Sequence, residues 1–89
     1  MSVPVKVHLL GKDGSVMEVR RFDLSPAYYH RNLESVNTMI TKLFNLKGIL
    51  KLFYKDEDGD MVAFSSDDEL ATALKYIKDN TFRVFIKSS

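Results

Sequence analysis

The chain has 89 residues and a net charge of +1, with 45% hydrophobic and 28% charged residues. These values are typical of a folded protein, and the length leaves no room for a second hydrophobic core. The absence of cysteine excludes a disulfide framework, a thiolate metal site and a cysteine nucleophile. We therefore expect one domain over residues 1–89, and the small size favours a binding module over an enzyme.

Two strands joined by a short turn are predicted at the start of the chain. In residues 3–10 apolar side chains alternate with other types, which is typical of a strand with one buried face. Residues 11–14 favour a turn, and residues 16–24 predict a second strand. Arg20 and Arg21 are adjacent in this second strand. Successive strand residues point to opposite faces, so the two arginines share a face only if a bulge or the strand end intervenes, which the sequence leaves open.

The middle of the chain alternates between helix and strand patterns. Apolar residues recur at intervals of three and four before Gly48, which predicts a helix over about residues 29–45. Residues 49–54 and 61–64 then predict two further strands. The Asp58-Gly59 pair between them favours a tight turn.

A short helix and a last strand complete the pattern. The segment Ser66-Asp-Asp-Glu69 matches a capping box, in which the serine oxygen accepts from the third backbone N–H and the glutamate reaches back. We expect the helix to end near residue 78, and residues 80–87 alternate again. The order ββαββαβ predicts an α+β fold of the ubiquitin-like β-grasp type, a mixed sheet with a long helix packed on one face.

The charge is separated into two poles. Residues 56–69 contain seven of the 12 acidic residues and no Lys or Arg, so this stretch carries −7 and leaves +8 on the rest. Among the basic residues, Lys6, Arg20 and Arg21 lie on predicted strands. A dipolar molecule of this kind can attract its own copies. The seven acidic residues are Asp56, Glu57, Asp58, Asp60, Asp67, Asp68 and Glu69.

Two chemical interpretations of the acidic stretch fail. A calcium loop needs glycine at its sixth position and a bidentate glutamate at its twelfth. When Gly59 is placed sixth, Tyr54 stands at the first ligand position and Ser65 at the twelfth. Paired carboxylates for acid–base catalysis need a concave, partly dry pocket that separates their pKa values, and a polar turn seldom offers one.

A solvated helix start explains part of the acidic stretch, because the helix dipole favours negative charge in the first turn. That explanation covers residues 67–69. It does not cover residues 56–60, where three aspartates within five residues repel one another. We therefore expect an external cationic group to bind there.

The sequence also argues for or against several other roles and partners. The basic residues have an ordinary alternative, because a lysine on a wet strand face is common and arginines protect sheet edges. The modest pI near 8.0 and the acidic stretch argue against nucleic acid. No apolar run reaches the roughly 20 residues that cross a bilayer, so we expect no membrane partner. His8 and His30 lack ligand spacing, so we expect no metal, and neither a nucleophile–base pair nor a phosphate-binding loop is visible.

The acidic and basic segments together resemble those of a known family. The acidic run over residues 54–70 resembles the acidic motif of Phox/Bem (PB-one) domains, and Lys6 with the Arg20-Arg21 pair resembles that family's basic cluster. The chain is most similar to the N-terminal domain of selective-autophagy receptors of the sequestosome type. The segments that carry this likeness are residues 9–12, 19–22, 58–66 and 78–87, and the likeness is weakest over residues 25–48.

The resemblance implies a protein-interaction module with two opposed faces, without catalytic activity or a cofactor. It implies front-to-back binding to copies of itself, in oligomers or filaments, or to other PB-one proteins such as an atypical protein kinase C. It further implies scaffolding of autophagy receptors and signalling partners in the cytoplasm, in condensates or on autophagosomes. A monomeric adaptor that uses one face for a different PB-one protein is the alternative. The implied basic face is Lys6, Arg20 and Arg21, and the implied acidic face is Asp56, Asp58 and Asp60, supported by Asp67, Asp68 and Glu69.

Overall fold

A computed structural model describes residues 2–25 and 32–89, which form five strands and two α-helices. The element order is ββαββαβ, as the sequence predicts, and the ubiquitin-like β-grasp fold is confirmed. A single 3-10 turn over Leu74–Tyr76 follows the second helix. The elements are β1 (Val3–Leu10), β2 (Val16–Leu24), α1 (Leu33–Phe44), β3 (Leu50–Lys55), β4 (Met61–Phe64), α2 (Asp67–Ala73) and β5 (Phe82–Ser88).

The strands form one mixed sheet in the order β2-β1-β5-β3-β4. The two central strands, β1 and β5, are parallel, and every other neighbouring pair is antiparallel. The first hairpin therefore lies at one edge of the sheet and the second hairpin at the other. This separation decides where the two charged poles of the sequence lie.

The hydrophobic core lies between one face of the sheet and the helices. In β1 and β5, Val5, Val7 and Val84 are fully buried, and they pack with Val36 and Ile40 of α1. The strand residues between them point to the other face and stay half-buried or exposed. The helices of the described residues thus cover one face and leave the other open, as the alternation in the sequence predicts.

The predicted start of the first helix is wrong. Asn32 has an extended backbone, with φ −97° and ψ 98°, and its side chain accepts a hydrogen bond from the N–H of Ser35 at 3.2 Å. An N-cap residue of this kind stands directly before the first residue of a helix. Helix α1 therefore begins at Leu33 rather than near residue 29. The rest of the predicted start, residues 29–31, lies outside the described residues.

The second helix is also shorter than predicted, since α2 ends at Ala73 and only the 3-10 turn continues it. Its predicted cap is confirmed on the serine side, because Ser66 Oγ accepts from the N–H of Glu69 at 3.1 Å. The glutamate reaches one residue further back than predicted and accepts from the N–H of Ser65 at 2.8 Å.

Strands β3 and β5 differ slightly from their predicted bounds. Asp79 and Asn80 have positive φ angles of 54° and 58°, so β5 begins at Phe82 rather than at residue 80. The backbones of Lys78 and Thr81 exchange two hydrogen bonds and close the turn that precedes β5. Strand β3 runs one residue later than predicted at each end.

Candidate functional site

The connection between β3 and β4 is a tight turn held by one carboxylate. Asp56 Oδ1 accepts hydrogen bonds from the backbone N–H groups of Asp58 and Asp60, both at 3.0 Å. The N–H of Gly59 donates to the carbonyl of Asp56, and Gly59 has a φ of +80°, which favours glycine. Asp56 is half-buried, whereas the side chains of Asp58 and Asp60 are exposed. Asp56 therefore positions the turn, and the other two present charge to solvent.

These three aspartates form one negative cluster. Carboxylate oxygens of Asp56, Asp58 and Asp60 all lie within 4.8 Å of one another. At that separation each pair of charges repels by about 1 kcal/mol in the dielectric of water. An ammonium or guanidinium group of a partner relieves this repulsion, and Arg can engage two carboxylate oxygens at once.

A fourth acidic residue ties this turn to the rest of the fold. The hydroxyl of Tyr76 donates a hydrogen bond to Glu57 Oε2 at 3.0 Å, and this bond raises the pKa of Tyr76 above its ordinary value. The Tyr76 ring also lies 5.1 Å from the ring of Tyr54, between centroids. This role of Glu57 was not predictable from the sequence, because its partner lies 19 residues further along the chain.

The second acidic group, residues 67–69, lies in the first turn of α2, beyond the four residues of β4. A strand of that length spans about 13 Å, so this group is separate from the acidic turn. Asp67 Oδ1 accepts from the N–H of Leu33 at 2.8 Å and so binds the start of α1, while Glu69 belongs to the cap of α2. In the part of the chain that the structure describes, the Asp68 carboxylate accepts no hydrogen bond. Of the three, Asp68 is therefore the residue whose carboxylate remains available to a partner.

Sheet register decides the arrangement of the basic residues. Lys6 is the cross-strand partner of Arg21, and Val7 is the partner of Arg20. The bulge between β1 and β2 lies at Leu9 and Leu10, so no irregularity intervenes at the arginines. Arg20 and Arg21 therefore point to opposite faces of the sheet, which answers the question that the sequence left open. Lys6 and Arg21 share the open face.

Arg20 lies on the helix-covered side, at the edge strand. Its guanidinium forms a salt bridge with Glu18 and lies 5.8 Å from the centroid of the Phe44 ring at the end of α1. The Arg20 side chain is 49% exposed. It remains within reach of a partner at the β2 edge, but its charge is already paired with Glu18 through Nε.

The two poles lie on different sides of the molecule. In the strand order, β1 is two positions and β2 three positions from β3, which corresponds to about 10 and 14 Å. Among the described residues the only salt bridge is that of Arg20 with Glu18. Within residues 2–25 and 32–89, no ion pair thus neutralises the acidic turn or the Lys6–Arg21 pair.

Comparison with known proteins gives the family. The PB1 domain matches residues 2–89 of the chain. The chain belongs to the PB1 domain family. PB1 domains are protein-interaction modules, and the two charged poles are the features of this one that can carry such an interaction. Neither α1 nor any other helix in the described residues has the length and apolar character that spanning a bilayer requires.

Solved structures give the same fold over the whole chain. The AtNBR1-PB1 domain is 22% identical with a TM-score of 0.68, and the alignment covers 99% of this chain and 98% of that one. A cryo-EM structure of the AtNBR1-PB1 filament (L-type) is 26% identical with a TM-score of 0.64, covering 100% and 97%. The solution structure of the PB1 domain of Cdc24p (long form) is 21% identical with a TM-score of 0.61, covering 99% and 96%.

Proposed function

We propose that this PB1 domain assembles front to back, with the basic edge of one copy against the acidic turn of the next. The observation that carries this proposal is that the two poles lie toward different edges of one sheet and form no ion pair with each other in the part of the chain that the structure describes. A contact between two different surfaces of the same molecule is heterologous, so it closes into a ring or continues as a filament.

The basic edge consists of Lys6, Arg21 and Arg20, and we expect the first two to contribute most. Lys6 and Arg21 share a face and have no intramolecular ion pair among the described residues, whereas Arg20 is paired with Glu18. On the partner, the exposed Asp58 and Asp60 are the principal acceptors, and Asp56 completes the cluster. Asp67, Asp68 and Glu69 support the contact from the first turn of α2, and Asp68 contributes most of this support because Asp67 and Glu69 already accept backbone hydrogen bonds.

The energy of such a contact is sufficient for assembly. Exposed ion pairs contribute only about 0.2–1 kcal/mol, but close interfacial pairs couple by about 1.5–7 kcal/mol. A few pairs of the second kind reach a micromolar dissociation constant, which corresponds to about −8 kcal/mol. Weak single contacts then add along a filament and give avidity for clustered partners.

Similarity to a PB1 domain of known assembly supports the proposal. The AtNBR1-PB1 domain forms a filament, and it resembles this chain over its whole length. We infer that this domain likewise scaffolds a cytoplasmic selective-autophagy receptor and its signalling partners, in condensates or on autophagosomes. The sequence segments that resemble sequestosome-type receptors support that role.

A one-faced adaptor is the second candidate. The Arg20–Glu18 salt bridge weakens the basic edge, while the acidic turn keeps Asp58 and Asp60 exposed. Such a domain would bind the basic face of a different PB1 protein, for example an atypical protein kinase C, and would stay monomeric alone.

Molar mass measured by light scattering separates these two functions. Samples from low to high micromolar protein are compared at about 50 mM and about 500 mM salt, since the screening length shortens several-fold over this range. Front-to-back assembly predicts a mass that grows with concentration and falls at high salt. A constant monomer mass under all conditions overturns self-assembly and leaves the adaptor.

A further inference from the structure

The sheet face that the helices leave open carries an apolar row. Cross-strand pairing aligns one side chain from every strand, and the row runs across the whole sheet. Val19 is 43% exposed, and the others are half-buried or exposed. A continuous apolar row marks a contact surface more strongly than single exposed hydrophobic residues do. In strand order, the row is Val19, His8, Phe85, Phe53 and Ala63.

Positive charges flank this row on both sides. On one side Lys6 lies between Arg21 and Arg83, its partners on β2 and β5. On the other side Lys51 and Lys87 are direct cross-strand partners. Like charges directly opposite each other destabilise a sheet, and none of these five residues has a salt bridge within residues 2–25 and 32–89. A negatively charged partner relieves this repulsion.

Two aromatic rings of the row pack face to face. His8 and Phe85 are stacked, with centroids 4.5 Å apart and an interplanar angle of 18°. From the opposite side, on β3, the Nζ of Lys55 lies 5.1 Å from the Phe85 centroid. Both faces of the Phe85 ring are therefore occupied. A nucleic-acid base needs an open ring face for stacking, whereas the ring edge is electropositive and suits a carboxylate.

His8 is the one titratable side chain of the row. Burial lowers the pKa of His8, and the positive charges of Lys6, Arg83 and Lys55 lower it further. The hydrogen bond between His8 Nδ1 and the Val84 carbonyl raises the pKa but does not outweigh these effects. The lowered pKa favours the neutral form of the ring. The row therefore offers apolar contact between two bands of positive charge.

We propose that this open-sheet platform binds an acidic segment of another protein, one in which apolar side chains alternate with Asp or Glu. The apolar side chains pack along the row, and the carboxylates reach the flanking lysines. For this purpose the platform comprises His8, Phe53, Phe85, Lys51 and Lys87.

The lysines of the platform lie away from the chain's own acidic turn. Lys51 lies near the start of β3, and the acidic turn begins at Asp56, after the end of that strand. Five strand residues span about 17 Å, which exceeds the screening length of about 8 Å at physiological salt. The Lys51–Lys87 side of the platform is also the side away from Lys6 and Arg21, which belong to the basic edge.

The test uses the full chain with Asp58→Ala and Asp60→Ala, which keeps the platform intact and prevents assembly from interfering. The probe is a synthetic peptide that alternates glutamate with leucine and phenylalanine, and its affinity is measured by calorimetry at about 50 mM salt. A second peptide has the same charge but serine in place of the apolar residues. The platform variant is Lys51→Glu/Lys87→Glu, and the matched control is Lys42→Glu/Lys47→Glu. All four lysines are exposed, and the two variants change the net charge equally.

We expect the platform variant to weaken binding at least about tenfold, and the control variant to change it less than about twofold. The serine peptide should also bind at least about tenfold more weakly. Chemical-shift mapping of the background protein should place the peptide on Phe53 and Phe85, which keeps the test valid if a variant fails to fold.

Equal weakening in both variants would overturn the proposal, because net charge alone would then explain the binding. A uridine oligonucleotide of matched charge that binds the same residues as tightly as the peptide would overturn it in favour of nucleic acid. Failure of the apolar peptide to bind would overturn it as well. None of these outcomes depends on front-to-back assembly, since the platform lysines are not part of that contact.

Discussion

The acidic turn and the basic edge carry opposite charge, and they are built in different ways. Asp56, Asp58 and Asp60 come from five consecutive residues, and hydrogen bonds within the turn hold their carboxylates within 4.8 Å. Lys6 and Arg21 come from two strands and meet only through the register of the sheet. A local sequence fixes the acidic turn, whereas the basic edge depends on the whole hairpin. One pole is thus a compact target, and the other is a pair of long side chains that can adapt to it.

The largest effect is expected at the basic edge. Lys6→Ala combined with Arg21→Ala removes the two charges of the basic edge that have no ion pair among the described residues, and it leaves the core intact. Loss of two close interfacial pairs should weaken self-association at least about 100-fold. Light scattering should then give the monomer mass at high micromolar concentration, with an unchanged thermal melt. A variant that still assembles would contradict the assignment of the basic edge.

Mixing variants tests whether the two poles bind each other. The basic-edge variant keeps a working acidic turn, and Asp58→Ala/Asp60→Ala keeps a working basic edge. Each should be monomeric alone, and the mixture should form a one-to-one dimer that grows no further. Analytical ultracentrifugation of the titrated mixture measures this. A mixture that stays monomeric would exclude the front-to-back contact.

The next effect concerns the stability of the acidic turn. Asp56→Ala removes the acceptor of two backbone hydrogen bonds and should lower the free energy of unfolding by about 1–3 kcal/mol. Asp56→Asn keeps an oxygen acceptor without the charge, so its stability loss should be smaller while its assembly still weakens. Urea denaturation measures the first effect and light scattering the second. Equal stability losses in both variants would show that Asp56 acts through its charge and not as the acceptor that holds the turn.

The same difference between local and distant contacts determines which features can be predicted from the sequence alone. The first hairpin and β4 were predicted with their observed bounds, because alternation and turn residues are local signals. The acidic turn was recognised for the same reason. The start of α1 was predicted incorrectly, since apolar periodicity does not reveal that Asn32 is an extended cap.

Features that join distant parts of the chain were not predictable in this way. The faces of Arg20 and Arg21 follow from the pairing of β1 with β2, which periodicity around the arginines leaves undecided. The hydrogen bond from the Leu33 N–H to Asp67 joins residues 34 positions apart. For Arg83 a signal was present, because the alternation around it places it on the face opposite the buried Val84, but its alignment with Lys6 requires the sheet.

The acidic residues of α2 offer a smaller test. Asp67→Ala removes the acceptor at the start of α1 and should lower the free energy of unfolding by about 1 kcal/mol, with little change in assembly. Asp68→Ala removes an uncommitted charge and should weaken assembly a few-fold without affecting stability. Urea denaturation and light scattering of both variants separate the two roles. The reverse pattern would mean that Asp67 faces the partner.

The smallest effect is expected for Arg20, and it distinguishes the two adjacent arginines. Arg20→Ala removes a charge that is already paired with Glu18, so the contact loses only the difference between two ion pairs, about a two- to fivefold change in affinity. Arg21→Ala removes a charge without such a partner among the described residues and should cost about ten times more. Glu18→Gln provides the matched control, because it releases Arg20 and should strengthen assembly slightly. If Arg20→Ala and Arg21→Ala weaken assembly equally, Arg20 exchanges Glu18 for the partner without loss, and the basic edge works from both faces of β2.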